Sequence, residues 1–247
     1  MKLISLNIEG DKHYDKIFPF IKKEQPDMVC FQEVFEEDVP LLEETLEMKG
    51  YFQPGVTIHI ENPHLPARGV LGVAQFTSLP VSTQKTEYYV GTAERLPFFF
   101  ENQNPNAMNR MLVVQTIQSE EGPFTIGTTH FTWSMEGAYT DEQRRDFDAL
   151  RNILVTFDEL ILCGDFNSPR NGEPENVYNS LVKMYQDAIP PHYQTSIDST
   201  LHKSGKQIML MVDGLFLSQQ YQASQVRLVD RVSDHMAIVA EIFPRKT

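Results

Sequence analysis

The chain has little of what would hold a protein together, or anchor it, from outside its own core. Only two cysteines occur in 247 residues, Cys30 and Cys163, each inside an apolar strand-like run and far from any CxxC spacing. That excludes a disulfide framework and a zinc cage and leaves two core thiols. No apolar run approaches a membrane span, and the opening MKLISLNIEGD alternates instead of forming a signal peptide, so a cytoplasmic location off the membrane is expected. Basic residues are scarce: 21 Lys and Arg stand against 34 Asp and Glu, a net charge of -13, which excludes gripping a polyanion by bulk electrostatics. A phosphate substrate is not excluded, because surplus carboxylates draw a divalent cation and the cation then meets the phosphate. No linker, repeat or low-complexity stretch divides the chain, so residues 1–247 read as one domain.

What is present is a series of strands that end in chemistry. In ELILCGDFNSP (residues 159–169), Leu160 to Cys163 read as a strand buried on both faces, and Gly164 turns the backbone where Asp165 and Asn167 begin. An open α/β sheet places its reactive groups there, outside the carboxyl ends of its strands. A lone GDxN is as often a plain turn leaving a strand. Here the pattern recurs: KLISLNI ends near Asn7, DMVCFQEV at Glu33, and PFTIGTTHF at His130. Asp234 and His235 open the last strand, and Asp213 lies within IMLMVDGLFL, read as one long strand over residues 208–217.

Between these, residues 14–24 carry a helical stripe stopped by Gln25-Pro26, and residues 35–49 an acidic helix ended by Gly50. Thr140-Asp-Glu-Gln143 makes a capping box for a long helix, and Pro174 opens another over residues 175–185. Residues 96–100, containing Phe98, Phe99 and Phe100, read as a possible strand and more as core than as a substrate platform; His59 and His64 read as surface histidines. Residues 187–205 are polar and loop-like, and the tail is expected to fray. The total is about eleven strands and four or five helices, sheets inside and helices outside.

If the strand ends converge, three carboxylates and two amides form a hard-oxygen site suited to Mg²⁺ or Mn²⁺, with two histidines to handle a phosphate. The segments LNIEG, FQEV, TTHF, GDFNSP, VDGLF and SDH, in this order, resemble the endonuclease/exonuclease/phosphatase superfamily from Met1 to about Phe243. The resemblance implies an α/β four-layer sandwich, two packed mixed β-sheets flanked by helices, and a Mg²⁺-dependent phosphoesterase. It implies Glu33 as principal metal carboxylate, with Asn7 and Asp234 on the metal or its waters. Asp165 would align the attacking water and Asn167 hold water or phosphate. His235, oriented by Asp213, would bind the scissile phosphate or act as base, and His130 would donate to a non-bridging oxygen. Whether His235 or Asp165 takes the proton, and whether one metal acts or two, stays open in the residues.

Substrate is read by elimination. MVDGLF replaces the PAWCDR-type segment of inositol polyphosphate phosphatases, and the secreted sphingomyelinase and DNase I-like branches carry leaders and disulfides. NIEG, QEV and NRML before TTHF resemble the 5′-tyrosyl-DNA phosphodiesterase branch, with SLN in place of TWN and GDFN in place of GDTN. Arg110 is a candidate phosphate contact on that likeness, against the reading of a solvated arginine at a strand start. Trp133, the single tryptophan, either stacks on a base or apolar leaving group or packs beneath its loop. The expected partner is a phosphodiester, with nucleic acid leading. A small-molecule or lipid-headgroup phosphoesterase is second, and a silent binding module that keeps the fold is third. Nothing in the residues speaks to oligomeric state.

Overall fold

The alternation in KLISLNI becomes strand β1 (Lys2–Asn7), with Leu3 on one face and Ile4 and Leu6 on the other. In this computed structural model, which describes residues 1–60 and 68–245, helix α1 (Tyr14–Glu24) then crosses to β2 (Met28–Phe35), laid parallel to β1. Later in the chain β7 (Gly122–His130), helix α3 (Asp141–Leu154) and β8 (Ile161–Asp165) repeat the move, and β7 and β8 are the second parallel pair. The other pairings are antiparallel. They involve β3 (Lys49–Thr57), β4 (Val70–Thr77), β5 (Val81–Val90), β6 (Arg110–Ser119), β9 (Gln186–Asp187), β10 (Asp213–Leu217), β11 (Tyr221–Val229) and β12 (Ala237–Pro244). Two six-stranded mixed sheets result, ordered β11-β12-β1-β2-β4-β3 and β5-β6-β7-β8-β10-β9.

Period-two burial makes the layers. Leu3, Cys30, Ile126, Cys163, Leu215 and Ile238 meet between the sheets. On the outer face of the first sheet, Ile4, Val29 and Phe31 pack beneath Ile17 and Ile21 of α1 and Leu42 of α2 (Val39–Leu46). On the second, Leu112, Leu160 and Leu162 pack beneath Phe147 and Leu150 of α3 and Leu181 of α4 (Val177–Val182). The four-layer sandwich is therefore helix, sheet, sheet, helix. Both cysteines are buried free thiols, hydrogen-bonded to each other across the inner core, where burial pushes the Cys30 thiol up.

Several boundaries differ from the sequence reading, each for a local reason. The acidic helix breaks into a 3-10 turn (Glu36–Asp38) and α2, and it ends at left-handed Glu47. Gly50 is no cap: it lies in β3, where a Cβ would sit 2.8 Å from the Phe76 ring. The apolar run at 208–217 is strand only from Asp213. Before that its backbone serves neighbouring loops: Ser196 N–H donates to the Leu210 carbonyl, Arg170 N–H to that of Met211, and Phe166 N–H to that of Val212. The helix read at 175–185 is only α4, capped by Asn176, whose side chain accepts from Asn179 N–H. Residues 96–100 form no strand beyond an isolated bridge from Thr57 to Phe98; Phe99 packs inward while Phe98 and Phe100 are exposed. His59 is exposed as expected, and His64 and the last two residues lie outside the described residues. Among the described residues no helix is long and apolar enough to cross a membrane.

Candidate active site

The phase of each strand decides which polar group reaches the cleft. Asn7 follows Leu3 and Ser5 on the inner face of β1, Asp165 follows Ile161 and Cys163 on β8, and His130 follows Phe124 and Ile126 on β7. In the second sheet Asp213, Asp165 and His130 stand in one row across β10, β8 and β7. Since β1 faces β8, and β2 faces both β7 and β8, that row meets the ends of β1 and β2 across the cleft.

Glu33 breaks the phase. Alternation would send it outward with Val29 and Phe31, beneath the helices. A bulge between Gln32 and Val34 intervenes, with Glu33 itself left-handed at φ 60°, and after it Val34 resumes the outward position. The extra residue turns the carboxylate inward, where Glu33 Oε1 accepts a 3.1 Å bond from Asn7 Nδ2. The same amide nitrogen donates to Asp165 Oδ2 at 3.2 Å, and Asn7 Oδ1 accepts the Glu9 N–H at 3.2 Å. Asn7 thus orients two acids at once.

Asp165 is the centre of the site. Its Oδ1 accepts the Asn167 N–H at 2.8 Å, while its Oδ2 lies 3.7 Å from His130 Nε2 and 3.8 Å from His235 Nε2. His235 Nδ1 meets Asp213 Oδ2 at 2.7 Å, and His130 Nε2 lies 3.9 Å from Glu33 Oε1. Asn167, left-handed at φ 49°, gives its amide N–H to the Phe131 carbonyl at 2.9 Å, so it ties the GDFN turn to the segment after His130. Gly164 allows the rows to close: at φ 136°, a Cβ there would lie 2.0 Å from the Thr129 carbonyl oxygen, which belongs to fixed backbone. Gly164→Ala is expected to destabilise the fold by more than about 3 kcal/mol, read as a melting temperature lowered by at least several degrees or as insoluble protein.

Burial governs the charges. It pushes Glu33 up to about 7, helped by the charge of Asp234, and Asp165 up to about 6, helped by Asp213 and opposed by His235 and the hydrogen bonds of Asn167 and Asn7. Asp234 is raised by burial as well. Burial alone would lower His235, but the Asp213 and Asp165 carboxylates hold it well above the ordinary histidine value. His130 is driven well below it by burial, then by the charges of Arg110 and His235. Among the described residues no lysine or arginine is ion-paired with Glu33 or Asp165. Buried carboxylates held short of ionisation, with only amides and histidines for company, fit a hard divalent cation as the missing counter-charge.

Asn7, Glu33, His130, Asp165, Asn167, Asp213 and His235 are joined by the contacts above with Asp234 beside Glu33, and the last two of the ten residues named from sequence stand differently from their plain readings. Arg110 is not solvated: it is 3% exposed, its Nη1 donates to the His130 carbonyl at 2.9 Å and its Nη2 to Asn106 Oδ1 at 3.3 Å. Trp133 is not packed beneath its loop. It is 44% exposed, and its backbone is held at both polar groups by Asn106, whose Oδ1 accepts its N–H at 3.1 Å and whose Nδ2 donates to its carbonyl at 3.0 Å.

Other residues escaped the sequence reading. Glu9 and His13, with the already named Asp234, bring potential ligand atoms within 4.8 Å of one another beside the site, as the already named Asp165, Asp213 and His235 do within it. Glu9 stands two positions past Asn7, and that spacing was its only signal. Gln143 completes half of its capping box: its N–H bonds Thr140 Oγ1 at 3.2 Å, but its side chain donates to the carbonyls of Thr132 at 2.8 Å and Asn167 at 3.1 Å. A hollow of about 860 Å³ opens at the opposite strand ends among Glu43, Glu47, Thr77 and Gln115. It holds none of this chemistry, so size does not locate the site.

A cleft of this kind, at the joined strand ends of a double-sheet sandwich and lined by acids, amides and two histidines, defines a phosphoesterase fold. A family model, Endonuclease/Exonuclease/phosphatase family, matches residues 4–235, and the chain belongs to that family, whose members are hydrolases that are generally dependent on divalent metal. A search of curated sequences returns no match. Among solved structures, an endonuclease/exonuclease/phosphatase from Beutenbergia cavernae superimposes with TM-score 0.73 at 17% identity, covering 99% of this chain and 71% of that one. The human Nocturnin catalytic domain with bound sulfate gives 0.69 at 21% identity, covering 99% and 93%. Truncated Caenorhabditis elegans TDP2 gives 0.59 at 16% identity, covering 99% and 97%. At these identities the likeness is one of fold.

Proposed function

We propose that the chain is a divalent-metal-dependent phosphodiesterase of nuclease-like type. The observation that carries this reading is the meeting of Glu33, Asp165, Asp213, His130 and His235 at one pair of sheet ends, with Glu33 and Asp165 raised by burial. A Mg²⁺ or Mn²⁺ ion, held by Glu33 and Asp234 with Asn7 orienting the set, would neutralise phosphate charge and acidify water. Asp165 is the acceptor for the attacking water's proton: it is poised near 6, and the Asn167 N–H and the Asn7 amide fix its orientation. His235, kept protonated by Asp213, serves as a donor to the phosphoryl oxygens and not as the base. His130, neutral beside Asp165, donates to a second oxygen; Arg110 adds charge from beneath, and Asn167 holds water or phosphate in place. Trp133 offers an exposed face to a base or an aromatic leaving group.

The test is a metal-activated panel of bis-p-nitrophenyl phosphate, single- and double-stranded DNA, RNA, a 5′-phosphotyrosyl oligonucleotide and a phosphomonoester. Turnover of diesters with Mg²⁺ or Mn²⁺, abolished by EDTA, is expected. No turnover of any substrate with either metal would leave a binding module that keeps the fold. A second reading, a small-molecule or lipid-headgroup phosphoesterase, is favoured by the net charge of -13. Activity that collapses as salt rises supports a polynucleotide, and activity indifferent to salt supports the small substrate.

A further inference from the structure

Beside the cleft, the turn after β1 brings a second set of ligand atoms to Asp234. Glu9, His13 and Asp234 are 4%, 8% and 6% exposed, and an oxygen or ring nitrogen of each lies within 4.8 Å of those of the other two. Two acids and an imidazole buried together are not the solvated charge of an ordinary turn.

Local geometry puts them there. Asn7 Oδ1 holds the Glu9 N–H at 3.2 Å, and the backbone reverses through left-handed Glu9 and Gly10 at φ 50° and 66°. Ile8 N–H and Gly10 N–H pin the turn to the carbonyls of Gln32 and Glu33, each at 3.1 Å, beside the bulge that turns Glu33 inward. Arg68 braces it by pairing with Asp11, Glu37 and Asp38. Asp234 is fixed by another segment: its carbonyl accepts the Asp198 N–H at 2.8 Å, and the Asp198 carboxylate takes the Arg231 N–H.

Two of these side chains have no structural task that accounts for them. His13 is the N-cap of α1, a position that favours Ser, Thr, Asp or Asn, yet its side chain makes no capping bond. Only its carbonyl serves the helix, accepting from Lys16 N–H and Ile17 N–H at 2.9 Å each. The ring turns instead to Glu9, with Nε2 3.0 Å from Oε2. Asp234 Oδ1 accepts from Ser233 Oγ at 3.2 Å, and among the described residues its other oxygen has no hydrogen bond and no ion pair. A buried carboxylate with one oxygen bare, set beside a second acid, is a costly arrangement that a cation resolves. Glu9 leaves room for that cation: Lys12 Nζ takes Oε1 at 2.6 Å, so Oε2 and the His13 nitrogen meet across a single proton. A metal ion bound there replaces the proton.

We infer that Glu9, His13 and Asp234 hold a second divalent ion, distinct from the one proposed at Glu33, with Asp234 as the carboxylate shared between the two. Only the first ion rests on the phosphodiesterase reading. Asp234 stands between the sets: its charge is the largest of those that raise Glu33, and it feels the charge of Glu9 as well. Two carboxylates and an imidazole suit a first-row transition ion such as Mn²⁺ better than Mg²⁺, which prefers oxygen throughout. Three protein ligands also leave positions open for water or a phosphoryl oxygen.

The test loads the protein with Mn²⁺ while Mg²⁺ in large excess fills the oxygen-only sites, and reads bound Mn²⁺ by electron paramagnetic resonance with pulsed detection of nitrogen coupling. The wild type is expected to retain one Mn²⁺ per chain, coupled to a directly bound imidazole nitrogen. His13→Asn supplies a preferred capping residue and removes the imidazole. It should melt no lower than the wild type in EDTA, bind Mn²⁺ at least about tenfold more weakly and show no nitrogen coupling. Glu9→Gln should weaken the same ion, whereas Glu33→Gln should keep it. A wild type that retains no Mn²⁺, or none coupled to nitrogen, overturns the second site. Coupling that persists in His13→Asn would come from His130 or His235 and overturns it equally. If the nitrogen-coupled ion is present and no phosphodiester is turned over, it is the phosphodiesterase reading that fails and the site that stands.

Discussion

The Glu33→Gln enzyme is expected to lose more than about a hundredfold in metal-dependent turnover and yet, stripped of metal, to melt higher than the wild type at about pH 8. On the proposed reading Glu33 is the principal metal carboxylate, so its loss would remove several kcal/mol of charge stabilisation at the phosphate, and each 1.4 kcal/mol is about tenfold in rate. The gain in stability has the opposite origin. Burial and the charge of Asp234 raise Glu33 to about 7 from the ordinary glutamate value of 4.5. Between those two values the folded chain binds more protons than the unfolded one, so stability falls as pH rises through the interval. Above it, an ionised Glu33 without a cation costs about 3 kcal/mol. Glutamine keeps the oxygen that accepts from Asn7 and carries no charge, so the variant escapes the cost.

In EDTA the melting temperatures of the two proteins should therefore coincide near pH 4.5 and separate by several degrees toward about pH 8. Added Mn²⁺ should restore only the wild type, because only there does a ligand bind the native state tightly enough to shift unfolding. A separation that is independent of pH would mean that Glu33 does not carry the strain of the metal-free site.

How far this site was readable in the sequence follows from which physical rule places each residue. Asn7, Asp165 and His130 are in phase with the buried residues of their own strands, so alternation alone delivers them to the cleft. Glu33 is delivered by a bulge. The pattern DMVCFQEV contains no glycine or other mark of one, so Glu33 was legible as a carboxylate at a strand end and through the likeness of FQEV to a family, while periodicity would have turned it outward. Asp213 was read as mid-strand because apolar residues run on both sides of it. The residues before it spend their hydrogen bonds on loops, which no hydropathy pattern encodes. Asn106, Gln143 and Asp198 act by bonding backbone groups of distant segments; polar residues in loops carry no sign of which carbonyl they will meet. The layers were legible because strands and helices bury stripes of different period. The short helices were not, since Glu47 and Asn176 end or begin them through side-chain and left-handed geometry that outweighs propensity.

Asp213→Asn separates the two candidates for the proton acceptor. The 2.7 Å contact between His235 Nδ1 and Asp213 Oδ2 survives the substitution, because an amide oxygen accepts the same N–H, so the ring stays in place. What disappears is the charge that does most to hold His235 above its ordinary value. For a histidine raised in the folded state, the stabilisation is complete below the unfolded value near 6.5 and is lost as pH climbs through the folded one. The variant should lose that stabilisation at a lower pH than the wild type. Its kcat/KM should drop by a hundredfold or so at about pH 8 and much less at about pH 6, where the imidazole is still protonated. The alkaline limb of the rate profile then moves to lower pH, and the acid limb, set by Asp165, moves the same way, because the Asp213 charge that helped raise Asp165 is lost. Were His235 the base, a weaker histidine would deprotonate earlier, so the variant would gain relative activity in acid and the selective loss at about pH 8 would be absent. The selective loss on the alkaline side assigns the imidazolium to phosphate binding and the water's proton to Asp165, and its absence reverses both roles together.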